Sequence, residues 1–286
     1  MKTKIAVLIS IALVFCIATT AVAEEKKSIK MGVLNWNDLV CPSLVTKKLM
    51  EKHYGYEIEV VEFFEWGIAY ATLAKGGVDL LMSQINFVAF DYWTRYNNKL
   101  EKLSASSHGL NQGVVVPSYV TINSMEEMNA QKDKFKGKII GIEPGAGLMR
   151  QTKDVIEKYG LDFELVDGST AAMTATLKSA MAKKEWIAAV LWTPSWMTQA
   201  YDVKFLEDPK NVQQPPQSYY WLGRKGFIKD YPKAREVMAG VFVPLEDNIK
   251  MTGYIKDGLK PDAAVEKWLG ENETVTERWM SIGGEM

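Results

Sequence analysis

From Ile29 onward the chain alternates short β-rich runs with helical stretches, and it does so in two successive series. That alternation is the signature of α and β layers around a mostly parallel sheet. The first series reads Ile29–Leu34 as a strand, a helix from about Asp38 to Tyr54, and Glu57–Glu62 as a strand. Ile68–Lys75 then reads as a helix closed by Gly76 and Gly77, Asp79–Met82 as a strand and Phe87–Asn97 as an aromatic-rich helix. Val114–Val116, just after Gly113, is the expected crossing to a second unit. There Ser124–Lys132 reads as a helix headed by a Ser124/Glu127 capping box. Lys138–Ile142, Phe163–Val166 and Ala188–Trp192 read as strands, with helices at Ala146–Tyr159 and Thr170–Lys184. From about Lys204 the pattern returns to the first unit, with a strand at Tyr219–Leu222 and helices around Pro232–Ala239 and Pro261–Leu269. The expected fold is α/β with two lobes, residues 28–112 and 205–286 forming one and 113–204 the other. Two crossings between lobes make a hinge that can close on a ligand in the cleft.

The first residues read as a targeting segment. Lys2 and Lys4 precede an apolar stretch, Ile5 to Thr19, that is short for a membrane span, and Ala21-Val22-Ala23 supplies a cleavage signature. Cleavage after Ala23 and export to the periplasm are expected. A lipid anchor on Cys16 would need a small residue where Phe15 stands. Without Lys2 and Lys4 the 34 basic residues become 32 against 35 acidic ones, a net charge of about −3. A basic face for nucleic acid is therefore not expected. Only Cys41 survives cleavage, so no internal disulfide can form and the core must hold the fold together. A monomer is expected.

Enzyme signatures are missing. His53 and His108 are the two histidines, and neither has metal-ligand spacing to another His or Cys. There is no Gly-x-Ser-x-Gly elbow and no Gly-x-x-x-x-Gly-Lys-Ser/Thr loop. No cofactor, metal or catalytic residue is assigned.

Two strands instead end on tryptophan, Trp36 after Met31–Leu34 and Trp192 within Leu191-Trp192-Thr193-Pro194. Carboxyl ends of strands are where open α/β sheets bind ligands, and an indole face attracts cations, quaternary ammonium above all. Either tryptophan could equally plug the core of its lobe. Gly141-Ile142-Glu143-Pro144-Gly145-Ala146-Gly147 runs from a strand through a glycine turn into a helix start. Free backbone N–H groups and the helix dipole can hold an anion there, although glycine can also serve turn geometry alone. Together with Trp192 the turn suggests a zwitterion, with its cation on indole and its anion on backbone amides.

Several blocks resemble the glycine betaine/choline-type substrate-binding proteins of ABC importers. They are Gly109-Leu110 with Val116–Val120, Ile122–Met128, Lys138–Gly147, Ala171-Ala172-Met173, Leu191–Met197 and Leu206-Glu207-Asp208-Pro209. The resemblance covers nearly all of the chain after the leader. It implies a two-lobed, type II-like periplasmic binding protein that holds a quaternary amine in an aromatic cage and delivers it to a permease with its ATPase. Trp36 and Trp192 match cage walls, Gly145 and Ala146 the anion- or hydroxyl-binding turn, and Asn37 and Asp38 a polar edge. The chain departs from the family where Ile85 stands for a further cage tryptophan and Ser195 for a histidine associated with the ligand carboxylate. Trp66, Phe87 and Tyr220 are the expected substitutes, and the other tryptophans are assigned to packing. Unless such substitutes compensate, the two departures should make the pocket poor at glycine betaine itself, and choline, carnitine or another methylated amine all remain open as ligands. The alternatives are a sensor receptor or a non-quaternary ligand on the same fold, and a secreted α/β enzyme.

Overall fold

The computed structural model describes residues 27–86, 88–213 and 217–282. In chain order the elements begin with β1 (Ser28–Leu34), α1 (Asn37–Tyr54), β2 (Glu57–Phe63), α2 (Trp66–Ala74), β3 (Leu80–Ser83), α3 (Phe90–Tyr96) and β4 (Leu100–Pro117). There follow β5 (Lys138–Ile140), α4 (Gly147–Tyr159), β6 (Glu164–Val166), α5 (Thr170–Ala182), β7 (Ala188–Thr193), α6 (Met197–Ala200) and β8 (Val203–Phe205). The last are β9 (Gln217–Arg224), α7 (Phe227–Asp230), α8 (Pro232–Gly240), α9 (Leu245–Lys256), α10 (Pro261–Glu271) and α11 (Glu273–Ile282).

The strands run in the order β2-β1-β3-β9-β4-β7-β5-β6, with β8 also on β4. Two copies of one plan are joined in that order. β1 lies between β2 and β3 in parallel, and β5 lies between β6 and β7 in parallel. An antiparallel strand follows each triplet, β9 beside β3 and β4 beside β7. The joint is β4 itself, which pairs with β9 from Leu100 to Leu110 and with β7 from Asn111 to Val115. One hydrophobic core gathers side chains from Ile29 to Leu110 and again from Tyr219 to Met280, and a second gathers those from Val114 to Leu206. The chain therefore changes core inside β4 and changes back between Leu206 and Gln217.

Several sequence expectations are corrected. The strand around Val114–Val116 starts at Leu100. Its register against β9 shifts at Lys102/Ser104, Ala105/Ser107 and His108/Leu110, which breaks the two-residue alternation that marks a strand in sequence. The Ser124/Glu127 capping box forms, yet it heads short 3₁₀ turns, Met125–Glu127 and Asn129–Phe135, rather than an α-helix. Non-helical Gln131 (φ −119°) and left-handed Lys136 (φ 57°) interrupt the run. α9 and α11 were not expected. α9 carries Asn248, Thr252 and Gly253, all weak helix formers, and packs on α1 and α10. The expected leader, residues 1–23, and Phe87 lie outside the described residues.

The first turn of α1 shows how a local choice positions the site. Pro42 has no N–H to give to the carbonyl four residues back, that of Asp38. The buried Asn248 side chain supplies the missing donor, Nδ2 to the Asp38 carbonyl oxygen at 2.8 Å. α9 is thereby fastened to the turn that carries Asp38.

Candidate functional site

All six parallel strands deliver side chains from their carboxyl ends to one place between the two cores. β1 leads to Trp36 and Asp38, β2 to Phe64, Glu65 and Trp66, and β3 to Gln84. β5 leads to Ile142 and the glycine turn, β6 to Thr170, and β7 carries Trp192. This is where an α/β sheet has no helix or loop of its own to cover the strand ends. The space has two compartments. The inner one, about 390 Å³, is lined by Trp36, Trp66 and Trp192, by apolar Leu39, Val88, Ile142, Ala146 and Leu148, by Gly147, and by Asp38, Gln84 and Gln112. The outer one, about 1040 Å³, shares Trp36, Asp38, Ala146 and Trp192 and adds Asn37, Glu65, Glu143, Gly145, Ser195 and Trp196 among others.

The aromatic walls come from both lobes. Trp36 caps the start of α1 in an extended conformation (φ −113°, ψ 131°), is half-buried and packs against both cores. Trp66 opens α2, is 2% exposed and stacks on Trp36 with ring centroids 6.0 Å apart and planes 26° from parallel. Trp192 sits opposite Gln112 in the β4/β7 register. Gln112 Nε2 in turn donates to Gln151 Oε1 at 2.8 Å.

Asp38 is the buried charge of the inner compartment, 5% exposed. Burial raises its carboxyl from the ordinary 3.8 to about 6, against the lowering effect of hydrogen bonds donated by the Tyr219 hydroxyl, the Asp38 backbone and the Trp192 side chain. Burial and the neighbouring Asp38 carboxylate push the Tyr219 hydroxyl well above its usual range, so it stays a donor. At neutral pH the site therefore holds an ionised carboxylate that has given up most of its water, beside three indoles. That arrangement attracts a cation which cannot bring water with it.

The glycine turn closes the other side. Gly145 and Gly147 lie against the opposite lobe: a side chain at Gly147 would run into Val88, and one at Gly145 would have to displace the end of the Glu65 side chain. A Cβ on Gly145 would come within 2.3 Å of Glu65 Oε1, and one on Gly147 within 2.2 Å of Val88 Cγ1. Arg150 of α4 reaches across as well, Nη2 donating to the Val88 carbonyl at 2.9 Å. Glu143 accepts from Thr170 N at 3.0 Å and Thr170 Oγ1 at 2.8 Å, tying the turn to the start of α5. No group of three or more His, Cys, Asp or Glu is disposed to hold a metal ion among the described residues.

A family model described as the substrate-binding domain of the ABC-type glycine betaine transport system matches residues 27–271. The chain belongs to this family. The glycine betaine/carnitine transport binding protein GbuC of Listeria monocytogenes (serotype 1/2a, strain 10403S) is 40% identical over 144 residues, 49% of this chain and 48% of that protein. The match thus spans about half the length of that curated relative. The closed-liganded structure of lactococcal OpuAC complexed with glycine betaine superposes with a TM-score of 0.82 at 28% identity, covering 89% of this chain and all of that one. The glycine/betaine/L-proline-binding protein ProX of Borrelia burgdorferi gives 0.81 at 30% identity, over 90% of this chain and 100% of its own. An ABC-transporter choline binding protein in complex with choline gives 0.79 at 22% identity, over 89% and 92%, and shows the shared two-lobed fold.

Within this family fold, Trp36, Asp38, Trp66, Ala146 and Trp192 meet at the inner compartment, while Asn37 and Gly145 line the outer one. Tyr220 does not reach either. Successive β9 residues point to opposite faces, so Tyr219 turns to Asp38 while Tyr220 packs on the first core with Lys102 Nζ 5.6 Å from its ring centroid. Ile85 is buried in that core too, and its neighbour Gln84 lines the cavity. Ser195 lines the outer compartment, its Oγ accepting from Met197 N at 3.3 Å. Gln84, Gln112, Tyr219 and Glu65 were missed by sequence reasoning. Each follows a strand end or lies on a strand beside one already singled out, and that position is the signal that could have found them.

Proposed function

We propose that this protein is an extracytoplasmic receptor of an ABC importer that captures a small quaternary ammonium compound and hands it to a membrane permease driven by an ATPase. One observation carries the reading: three indoles and an ionisable, buried Asp38 line a single cavity between the two lobes. Trp36, Trp66 and Trp192 supply cation–π and dispersion attraction, and Asp38 supplies the counter-charge. Asn37, Gly145 and Ala146 border the polar end of the ligand. The relatives named for glycine betaine, carnitine and choline support this ligand class. Residues 28–110 and 217–282 act as one lobe and 111–206 as the other, closing about β4 and the chain that leaves Leu206. The leader is removed after Ala23 and the mature chain works in the periplasm as a monomer, without catalysing a reaction.

Calorimetric titration of the mature chain with choline, glycine betaine, carnitine, amino acids and polyamines tests the reading. Saturable binding of at least one methylated amine is expected. Heat from amino acids or polyamines alone would remove the quaternary-amine assignment.

A further inference from the structure

The charges around the site are one-sided. Asp38, Glu65 and Glu143 line the two compartments, and among the described lining residues there is no lysine, arginine or histidine. Two cations border the lining without entering it. The Arg150 guanidinium lies over the Tyr92 ring, bonds the carbonyls of Val88 at 2.9 Å and Gly145 at 3.4 Å, and comes within 3.9 Å of Asp91. Lys256 lies over Trp196 and pairs with Asp257 at 3.3 Å. The glycine turn, whose backbone could receive an anionic ligand end, already has a carboxylate against it. Both Glu65 oxygens fall within 2.5 Å of where a Gly145 side chain would begin. The other polar groups of the outer compartment include the neutral hydroxyls of Ser195, Thr170 and Thr252.

We propose that Glu65, delivered from the N-terminal end of α2 onto the glycine turn of the other lobe, is the charge filter of this receptor. It selects a quaternary amine with a neutral, hydroxyl-bearing tail over one that ends in a carboxylate. This rests on the quaternary-amine reading above and narrows it to net cations. A ligand carboxylate would have to enter beside Glu65 with no cation among the lining residues, the Arg150 guanidinium being held on the Val88 and Gly145 carbonyls, whereas an alcohol meets hydroxyls and acceptors. Like charges about 4 Å apart repel enough, even at the dielectric of water, to change affinity about fivefold, and more where water is excluded.

Side-by-side calorimetry of wild type and Glu65→Gln with choline and glycine betaine at pH 8, where Asp38 is ionised, tests the filter. Wild type should bind choline at least about fivefold tighter than glycine betaine, and Glu65→Gln should shrink that ratio by at least about fivefold, chiefly through tighter glycine betaine. Glu65 is exposed at the start of α2, and matching melting curves show that the variant is folded. A wild type that prefers glycine betaine, or a ratio that Glu65→Gln leaves unchanged, overturns the filter while the quaternary-amine reading stands. If neither protein binds any methylated amine, the broader reading falls and takes the filter with it.

Discussion

The two compartments of the cleft share the ends of β1, β2, β5 and β7 but differ in what they offer a ligand. The inner one is small and mostly apolar, with three indoles and a single carboxylate whose water has been stripped by burial. The outer one is wider and polar, and beyond the shared Asp38 it has two carboxylates, three hydroxyls and the glycine turn. Interaction strength follows that division. A charge or ring face in a desolvated pocket is worth several times the same group at a wet rim. Affinity should therefore sit in the inner compartment and discrimination between ligand tails in the outer one.

The largest expected effect breaks the inner compartment's charge. Asp38→Asn should weaken choline binding by roughly 3 kcal/mol in calorimetry, the cost of leaving a buried cation without its partner. The same substitution removes an ionised group that burial disfavours, so the ligand-free protein at pH 8 should melt at a higher temperature. The shift from 3.8 to about 6 sets an upper bound of about 3 kcal/mol on that gain. A variant that loses neither affinity nor the pH response would place the ligand elsewhere.

Trp192→Ala should come next, at about 2 kcal/mol, because it removes an indole from the cavity and a hydrogen bond from Asp38. Unchanged affinity would leave Trp192 a packing residue. The pH response ranks third. Asp38 has a raised folded-state value, so its contribution to stability is largest below about 3.8 and is lost as pH rises toward 6. Binding runs the other way: a cation prefers the ionised form, so affinity should fall by up to about tenfold per unit below pH 6, with proton release on binding near pH 6. Titrations in buffers of different ionisation enthalpy measure that release, and Asp38→Asn should abolish it. Smallest is Ser195→Ala in the outer compartment, expected to change choline affinity by less than about 0.5 kcal/mol. A larger loss would move the ligand outward and erase the contrast between compartments.

The alternation that named the fold class was readable because helix and strand periods are local properties of the chain. Trp36 and Trp192 could be singled out because both follow apolar strands, and strand ends in such sheets face the cleft. The first half of β4 could not, since its bulges against β9 erase the period, and neither could α9, whose weak helix formers are held by α1 and α10. Choosing between Tyr219 and Tyr220 needed the pleat of β9, because one residue's slip sends a side chain to the other face. The same ambiguity separated Ile85 from Gln84.

By itself the sequence determined the α/β layers, the double crossing and the pair of strand-end tryptophans, because each depends on patterns within a few neighbouring residues. The tertiary structure alone decided that Asp38, expected from the sequence only as a polar edge of the site, is a buried carboxylate beside Tyr219 and Trp192. It alone set Glu65 against Gly145 from across the cleft. Burial and cross-lobe proximity are properties of the packed chain, and no local pattern encodes the loss of water at Asp38 or the placement of Glu65 across the cleft.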